Sequence, residues 1–104
     1  MKEVTVQELK DMMDRNVEFQ LIDVREPFEY EVSNLNGVNI PLAGVLIESD
    51  KISKDMPVII QCRSGKRSAQ AVMLLEQQGY TNLANLQGGI LAWKDQINPD
   101  MEVY

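Results

Sequence analysis

The sequence feature that most constrains the fold is a short apolar run followed directly by a polar loop and then by a helical pattern. Residues 58–60, Val-Ile-Ile, have the length and composition of a buried strand. The heptapeptide CRSGKRS follows at residues 62–68, and over residues 69–75 apolar side chains recur at three- and four-residue spacing. A strand that leads through a tight loop into a helix predicts an α/β fold, with a mostly parallel central sheet and helices on both faces.

The loop carries the only cysteine of the chain, Cys62, at the end of the predicted strand. In parallel sheets ligands bind at this edge, outside the carboxyl ends of the strands. The N–H groups of a loop and of a helix N-terminus favour negative charge, and the loop cations act in the same direction. These effects favour the thiolate, which is the nucleophilic form, so Cys62 is the candidate catalytic residue. The candidate substrate-binding residues are the six that follow it: Arg63, Ser64, Gly65, Lys66, Arg67 and Ser68.

A structural interpretation of Cys62 competes with this one, because a lone cysteine is most often a small buried side chain. Three cations, one glycine and two serines within six residues are instead typical of a loop that binds an anion. Gly65 can adopt a positive φ, which would let successive N–H groups converge on one point. We therefore favour the functional interpretation.

Four segments of the chain resemble the rhodanese family of single-domain sulfurtransferases. They are LIDVREPFEYE at residues 21–31, GVNIPL at 37–42, VIIQCRSGKRSAQAVMLLEQQGY at 58–80 and NLQGGILAW at 85–93. The resemblance is specific because the segments occur in family order and at family spacing over nearly the whole chain. It implies the α/β/α rhodanese fold, in agreement with the strand and helix pattern.

The resemblance also implies a sulfurtransferase that acts through a persulfide on Cys62. The sulfur donor would be a small anion, thiosulfate or a persulfide. The acceptor would be a thiol such as glutathione or thioredoxin, or cyanide in vitro, with no cofactor and no metal. The family binds the anion with the loop backbone, and Arg67 would lie beside it. Arg63 and Lys66 are either cations that steer the substrate or solvated loop charges.

Two other functions remain open. The first is a sulfur-carrier or binding module that takes sulfur only from a partner protein. The less favoured one is a phosphatase or arsenate reductase, since phosphatases of related fold have a Cys-x5-Arg loop whereas Arg67 gives Cys-x4-Arg. Ser68 stands where the phosphatase arginine would be, and the resemblance implies that the shorter loop is too tight for a tetrahedral phosphoryl or arsenate group.

Asp23 and Arg25, within the first of these segments, are predicted to be structural supports of the site. Charges that are removed from water must be paired, so we expect both to make polar ties to neighbouring loops. Glu29 is placed to pair with Arg25 through the turn of a short helix. Asn34 stands where the family often has histidine, which puts a local hydrogen bond in doubt rather than the reaction.

The length of 104 residues predicts one domain, residues 1–104. A single cysteine allows no internal disulfide and suits a reducing compartment. The chain begins with no stretch that resembles a signal peptide, and no apolar run approaches the ~20 residues of a membrane span. These observations predict a cytoplasmic protein that does not cross a membrane.

Charge and residue usage exclude several function classes. With 10 basic and 16 acidic residues the net charge is −6, so nucleic acid is a poor candidate partner. The absence of histidine excludes a Cys–His dyad, a Ser–His–Asp triad and a histidine-ligated metal. A single cysteine excludes thiolate zinc clusters and a Cys-x-x-Cys redox pair. Whatever activates the cysteine must therefore come from backbone dipoles and cations.

Local signals place several elements. Thr5 followed by Glu8 predicts a capping box and a helix to about residue 14. Residues 42–56 predict only a short helix followed by a polar connector. We expect Trp93 to anchor the core and the tail after Asn98-Pro99 to be loosely held.

Overall fold

The computed structural model describes all 104 residues and contains one five-stranded sheet. Every neighbouring pair of strands is parallel, in the order β1-β5-β4-β2-β3. The predicted α/β fold with a parallel central sheet is confirmed. The strands are β1 Glu3–Val4, β2 Gln20–Asp23, β3 Val38–Asn39, β4 Val58–Gln61 and β5 Leu83–Leu86.

Four α-helices connect and flank the strands, and the capping box predicted at Thr5 opens the first of them. Residues 42–56 form two short 3-10 helices rather than the single short helix predicted, at Leu42–Gly44 and Ser49–Lys51. None of the helices combines the length and the apolar character that crossing a membrane requires. The α-helices are α1 Val6–Asp14, α2 Pro27–Val32, α3 Lys66–Gln77 and α4 Gly89–Gln96.

The core consists of two apolar clusters, one on each face of the sheet. Side chains alternate along a strand, so Ile60 of β4 packs with α3 while Ile59 packs with α1 and α4. Cys62 belongs to the α3 cluster because it lies two residues beyond Ile60. Trp93 is buried in the other cluster, as expected for a core anchor.

The register of the central strands gathers the polar residues at one edge. Asp23 of β2 pairs with Gln61 of β4, and Ile60 of β4 pairs with Asn85 of β5. Because all strands are parallel, the segments that follow β2, β4 and β5 leave the sheet at the same edge. Cys62 and its loop lie at the centre of that edge.

The tail makes specific contacts, so the expectation that it would be loosely held is wrong. Met101 and Val103 pack against the α1–α4 cluster. The ring of Tyr104 meets that of Phe28 edge to face, with 4.7 Å between centroids. Apolar side chains spaced along the tail thus return it from α4 across the sheet edge to α2.

Candidate active site

The loop from Cys62 to Ser68 turns on Gly65, whose φ of 102° is the positive value predicted for it. Residues with a Cβ avoid this region, whereas glycine enters it without a steric penalty. The turn brings the Gly65 N–H to 3.1 Å from the Cys62 sulfur, to which it donates a hydrogen bond. A donor aimed at the sulfur stabilises negative charge there.

The sulfur of Cys62 lies at the bottom of the loop and not at its mouth, with only 1% of the residue exposed. This follows from the strand pleat, which continues the alternation of β4 and points Cys62 to the same face as Ile60. A reactant must therefore bring a slender terminal atom into the loop to reach the sulfur.

The other N–H groups of the loop make no hydrogen bond within the chain. Lys66, Arg67 and Ser68 form the first turn of α3, where an N–H group has no carbonyl one turn earlier to bond and is free for an anion. Together with the Gly65 N–H, the unpaired N–H groups form what we call the amide cradle. Its unpaired members are the N–H groups of Arg63, Ser64, Lys66, Arg67 and Ser68.

Two carbonyl groups of the loop accept hydrogen bonds from the first turn of α4. Ile90 donates its N–H to the Cys62 carbonyl at 2.9 Å, and Leu91 donates to the Arg63 carbonyl at 3.1 Å. Gly89 makes this approach possible: its φ is 60°, and a Cβ there would lie 2.6 Å from the Arg63 carbonyl oxygen. The Gly-Gly pair of the NLQGGILAW segment thus orients the loop, a role that residue spacing alone did not indicate.

Arg67 is held at the edge of the loop by a bidentate ion pair with Glu29 of α2. Its Nη1 and Nη2 lie 2.7 and 2.9 Å from the two carboxylate oxygens. The hydrogen bonds from Arg67 lower the pKa of Glu29, and those to Glu29 raise the pKa of Arg67. Glu29 is 4% exposed. The side-chain pair expected between Glu29 and Arg25 does not form, because this carboxylate is occupied by Arg67.

Arg25 and Asp23 form a fully buried ion pair at the end of β2, with Arg25 Nη2 and Asp23 Oδ2 2.8 Å apart. Arg25 also donates to the carbonyls of Glu29, at 3.4 Å, and Ser33, at 2.8 Å. The first of these carbonyls belongs to the middle of α2 and the second to the residue that follows the helix. The pair thereby fixes the helix that carries Glu29, and neither side chain reaches the solvent side of the loop.

Arg63 and Lys66 are both exposed at the rim of the loop. Arg63 donates from Nε to the backbone carbonyl of Tyr104 at 2.7 Å. Lys66 makes no hydrogen bond and no ion pair. Lys66 is therefore the loop cation whose side chain has no hydrogen-bond or ion-pair partner within the chain.

Ser68 is completely buried at the start of α3. Its Oγ lies 3.4 Å from the Cys62 sulfur and also hydrogen-bonds the Oδ1 of Asn85 on β5. Asn85 was not predicted as a site residue. The available signal was a polar side chain in an otherwise apolar strand, LANL, at the same sheet edge as the cysteine.

Gln61, the residue before the cysteine, is fully buried and its side-chain amide has no partner within the chain. It faces the α1–α4 side of the sheet, opposite to Cys62, and takes no part in the amide cradle. No group of three or more acidic or cysteine side chains is arranged to bind a metal.

Comparison with known proteins decides the family. The model of the rhodanese-like domain family matches residues 5–96, most of the chain. The chain belongs to this family.

Individual relatives agree with this assignment. A sulfurtransferase of Allochromatium vinosum is 37% identical over 92 residues, which cover 88% of this chain and 86% of the relative. A probable adenylyltransferase/sulfurtransferase, MoeZ, of Mycobacterium tuberculosis is 33% identical over 104 residues. That match covers 97% of this rhodanese chain but only 26% of the much longer relative. The crystal structure of a rhodanese-like domain protein from Staphylococcus aureus superposes with a TM-score of 0.85 at 30% identity, over 100% of this chain and 99% of that one.

The rhodanese chain departs from the usual family pattern at Asn34, and the local hydrogen bonds are nevertheless made. The Asn34 amide donates to the carbonyl of Tyr30 at 3.1 Å and accepts from the N–H of Asn36 at 2.9 Å. Both contacts lie in the turn after α2, away from the sulfur.

Proposed function

We propose that this rhodanese is a sulfurtransferase that moves a sulfane sulfur from thiosulfate or a persulfide donor to a thiol acceptor through a persulfide on Cys62. The observation that carries the proposal is the amide cradle: the loop that follows the single cysteine has five unpaired N–H groups and a sixth that donates to the sulfur. Such a ring of donors holds an anion that forms during the reaction without reorganising. Relatives that are named sulfurtransferases support the transfer of sulfur. The donor and the acceptor are proposed from the chemistry of the site.

In the first half-reaction the Cys62 thiolate attacks the outer sulfur of thiosulfate. A new S–S bond forms, the S–S bond of thiosulfate breaks, and sulfite leaves with the electron pair. The negative charge of the enzyme then resides on the outer sulfur of Cys62–S–S⁻. This outer sulfur is about 2 Å from the original one, so the amide cradle is the nearest set of donors for it.

In the second half-reaction an acceptor thiolate, or cyanide, attacks the outer sulfur. The bond between the two sulfurs breaks, the acceptor leaves as a persulfide or as thiocyanate, and the Cys62 thiolate is restored. Charge and atoms balance over the two steps without an external oxidant or reductant. This is a ping-pong reaction with one covalent intermediate.

The cations assist because an anionic donor must approach a thiolate. Arg67 is fixed beside the loop by Glu29, so its charge is shared with a carboxylate. Lys66 carries an unshared charge, and Arg63 retains free guanidinium N–H groups after bonding the tail. Lys66 and Arg63 are therefore proposed as the groups that attract the donor, with Arg67 as the fixed wall.

The experiment is thiocyanate formation from thiosulfate and cyanide, measured for the wild type and for Cys62→Ser. We expect the wild type to turn over and the variant to fall to the uncatalysed rate. Mass spectrometry of the intact chain after thiosulfate alone should show the mass of one added sulfur, which in a chain with one cysteine locates the persulfide. Equal rates for both proteins would remove the proposal.

A carrier role, in which a partner protein supplies the sulfur, is the second candidate. It is supported by the match to MoeZ, a relative named as both an adenylyltransferase and a sulfurtransferase. This chain covers only 26% of that relative's length, so the matching region there is one part of a larger protein. Slow turnover of thiosulfate together with rapid loading from a persulfide-bearing protein would favour it. Hydrolysis of an aryl phosphate that depends on Cys62 would instead indicate the phosphatase alternative.

A further inference from the structure

The side-chain amide of Asn85 has only one orientation that its neighbours allow. Nδ2 lies 3.1 Å from the carbonyl oxygen of Gly65 and 3.4 Å from the Glu3 carboxylate. Both neighbours are acceptors, so the atom that faces them must be the N–H₂ group, and Oδ1 must face Ser68. Because Asn85 is buried, this orientation is set within the protein and not by solvent.

The orientation of Asn85 determines where the proton of the Ser68 hydroxyl points. Oδ1 can only accept, and a hydroxyl has a single proton, so Ser68 donates that proton to Asn85. The lone pairs of Ser68 Oγ then face the Cys62 sulfur, 3.4 Å away. In this arrangement Ser68 accepts from the S–H of a thiol and offers a thiolate no hydrogen bond.

We propose that Asn85 is a positioning residue that turns the Ser68 hydroxyl away from the sulfur and thereby disfavours the free thiolate of Cys62. If Ser68 turned its proton to a thiolate, Asn85 Oδ1 would be left buried without a donor, which costs free energy. The persulfide avoids this cost, because its charge lies on the outer sulfur, away from Ser68. The network therefore favours the loaded enzyme over the empty, reactive one.

Other charges near the sulfur act in parallel and are unchanged by substitutions at Asn85 or Ser68. Glu3 approaches from β1 through Asn85, and Arg67 approaches from α3 with Glu29 of α2 and Asp23 of β2 behind it. The loop itself contributes Arg63 and Lys66. A comparison of variants at Asn85 and Ser68 therefore isolates the hydroxyl.

The test is the rate at which iodoacetamide alkylates Cys62, followed by mass spectrometry across the mildly acidic and neutral pH range. We expect Asn85→Ala to raise the rate on the acidic side about three- to tenfold, because Ser68 is then free to donate to the thiolate. In Asn85→Ala/Ser68→Ala the gain should disappear. Glu3→Gln keeps an acceptor beside Nδ2 and removes only a charge, so it measures the electrostatic contribution of Glu3 and should change the rate less than Asn85→Ala does.

The single variant Ser68→Ala tests the proposal independently of Asn85. If Ser68 only accepts from the thiol, its removal leaves the alkylation rate equal or higher. A severalfold fall would mean that Ser68 donates to the thiolate and would overturn the proposal, and this arm decides the question even if Asn85→Ala does not fold. A rate for Asn85→Ala that falls, or that rises equally without Ser68, would overturn it as well.

The inference rests on the proposed function only in taking Cys62 as the nucleophile. Alkylation requires no sulfur donor, so a protein without thiosulfate activity would still give a result. Failure of sulfur transfer and failure of this proposal are therefore distinguishable.

Discussion

At the scale of single residues, Glu29 decides what Arg67 can do. Both guanidinium nitrogens that face Glu29 are bonded to it, so Arg67 is fixed in place and partly neutralised. We therefore expect Arg67 to contribute to the site more by its fixed position than by its positive charge, which Glu29 partly offsets. Two measurements separate these contributions.

We expect Glu29→Gln to release Arg67, destabilise the protein by about 1–3 kcal/mol and lower sulfur transfer roughly tenfold. The physical reason is that a buried carboxylate with two charge-assisted hydrogen bonds is lost while Arg67 keeps its charge. Chemical unfolding and thiocyanate formation measure the two effects. Glu31→Gln, on the exposed side of the same helix, is the control and should change neither.

The same carboxylate predicts a pH dependence of stability. Its pKa is lowered in the folded state by the hydrogen bond from Arg67, from an ordinary value of 4.5. The stabilisation is therefore complete above that value and is lost as the pH falls through the lowered pKa. The difference in unfolding temperature between wild type and Glu29→Gln should shrink in that acidic range. A difference that stays constant there would contradict the assignment.

At the scale of elements, the loop depends on the contact with α4 that Gly89 permits. We expect Gly89→Ala to displace the loop, because the new Cβ would be 2.6 Å from the Arg63 carbonyl and φ is 60°. The cost should exceed about 2 kcal/mol and sulfur transfer should be largely lost. Gly79→Ala is the matched control: its φ is also positive, 93°, but its surroundings are open. It should cost only about 1 kcal/mol and leave transfer intact.

The elements themselves were largely predictable, whereas the contacts between them were not. The capping box of Thr5, the run before Cys62 and the glycine of the loop are local signals, and each placed an element or a turn correctly. The Ser68–Asn85 bond joins side chains 17 positions apart. The Arg67–Glu29 pair spans 38 positions. Such pairings depend on strand order, which hydrophobic periodicity does not specify.

The tail also shows that contacts between distant segments are hard to predict from sequence. Asn98-Pro99 correctly marks the end of a helix, but the segment beyond it is held by contacts with α2 and the loop. The Ser33 hydroxyl donates to the Glu102 carbonyl, and Arg63 donates to that of Tyr104. Main-chain carbonyls carry no sequence signal, so these two hydrogen bonds could not be predicted from the sequence.

At the scale of the whole molecule, the site is a positive region on a protein of net charge −6. The overall field repels an anionic donor, and the loop cations oppose it locally. We expect Lys66→Gln to lower kcat/KM for thiosulfate roughly two- to fivefold at low salt, with a smaller effect at high salt. Lys10→Gln changes the net charge equally on α1, where the lysine pairs only with exposed Asp14, and is the control. Equal losses in both variants would assign the effect to net charge rather than to the loop.

The burial of a solitary Cys62 has a consequence for how the protein withstands oxidants. A sulfenic acid formed there could not condense with a second cysteine of the same chain, since none exists. Any repair must then come from an external reductant that enters the loop by the route proposed for the sulfur acceptor. The sulfur acceptor and the repairing reductant would then reach Cys62 by the same access route through the loop.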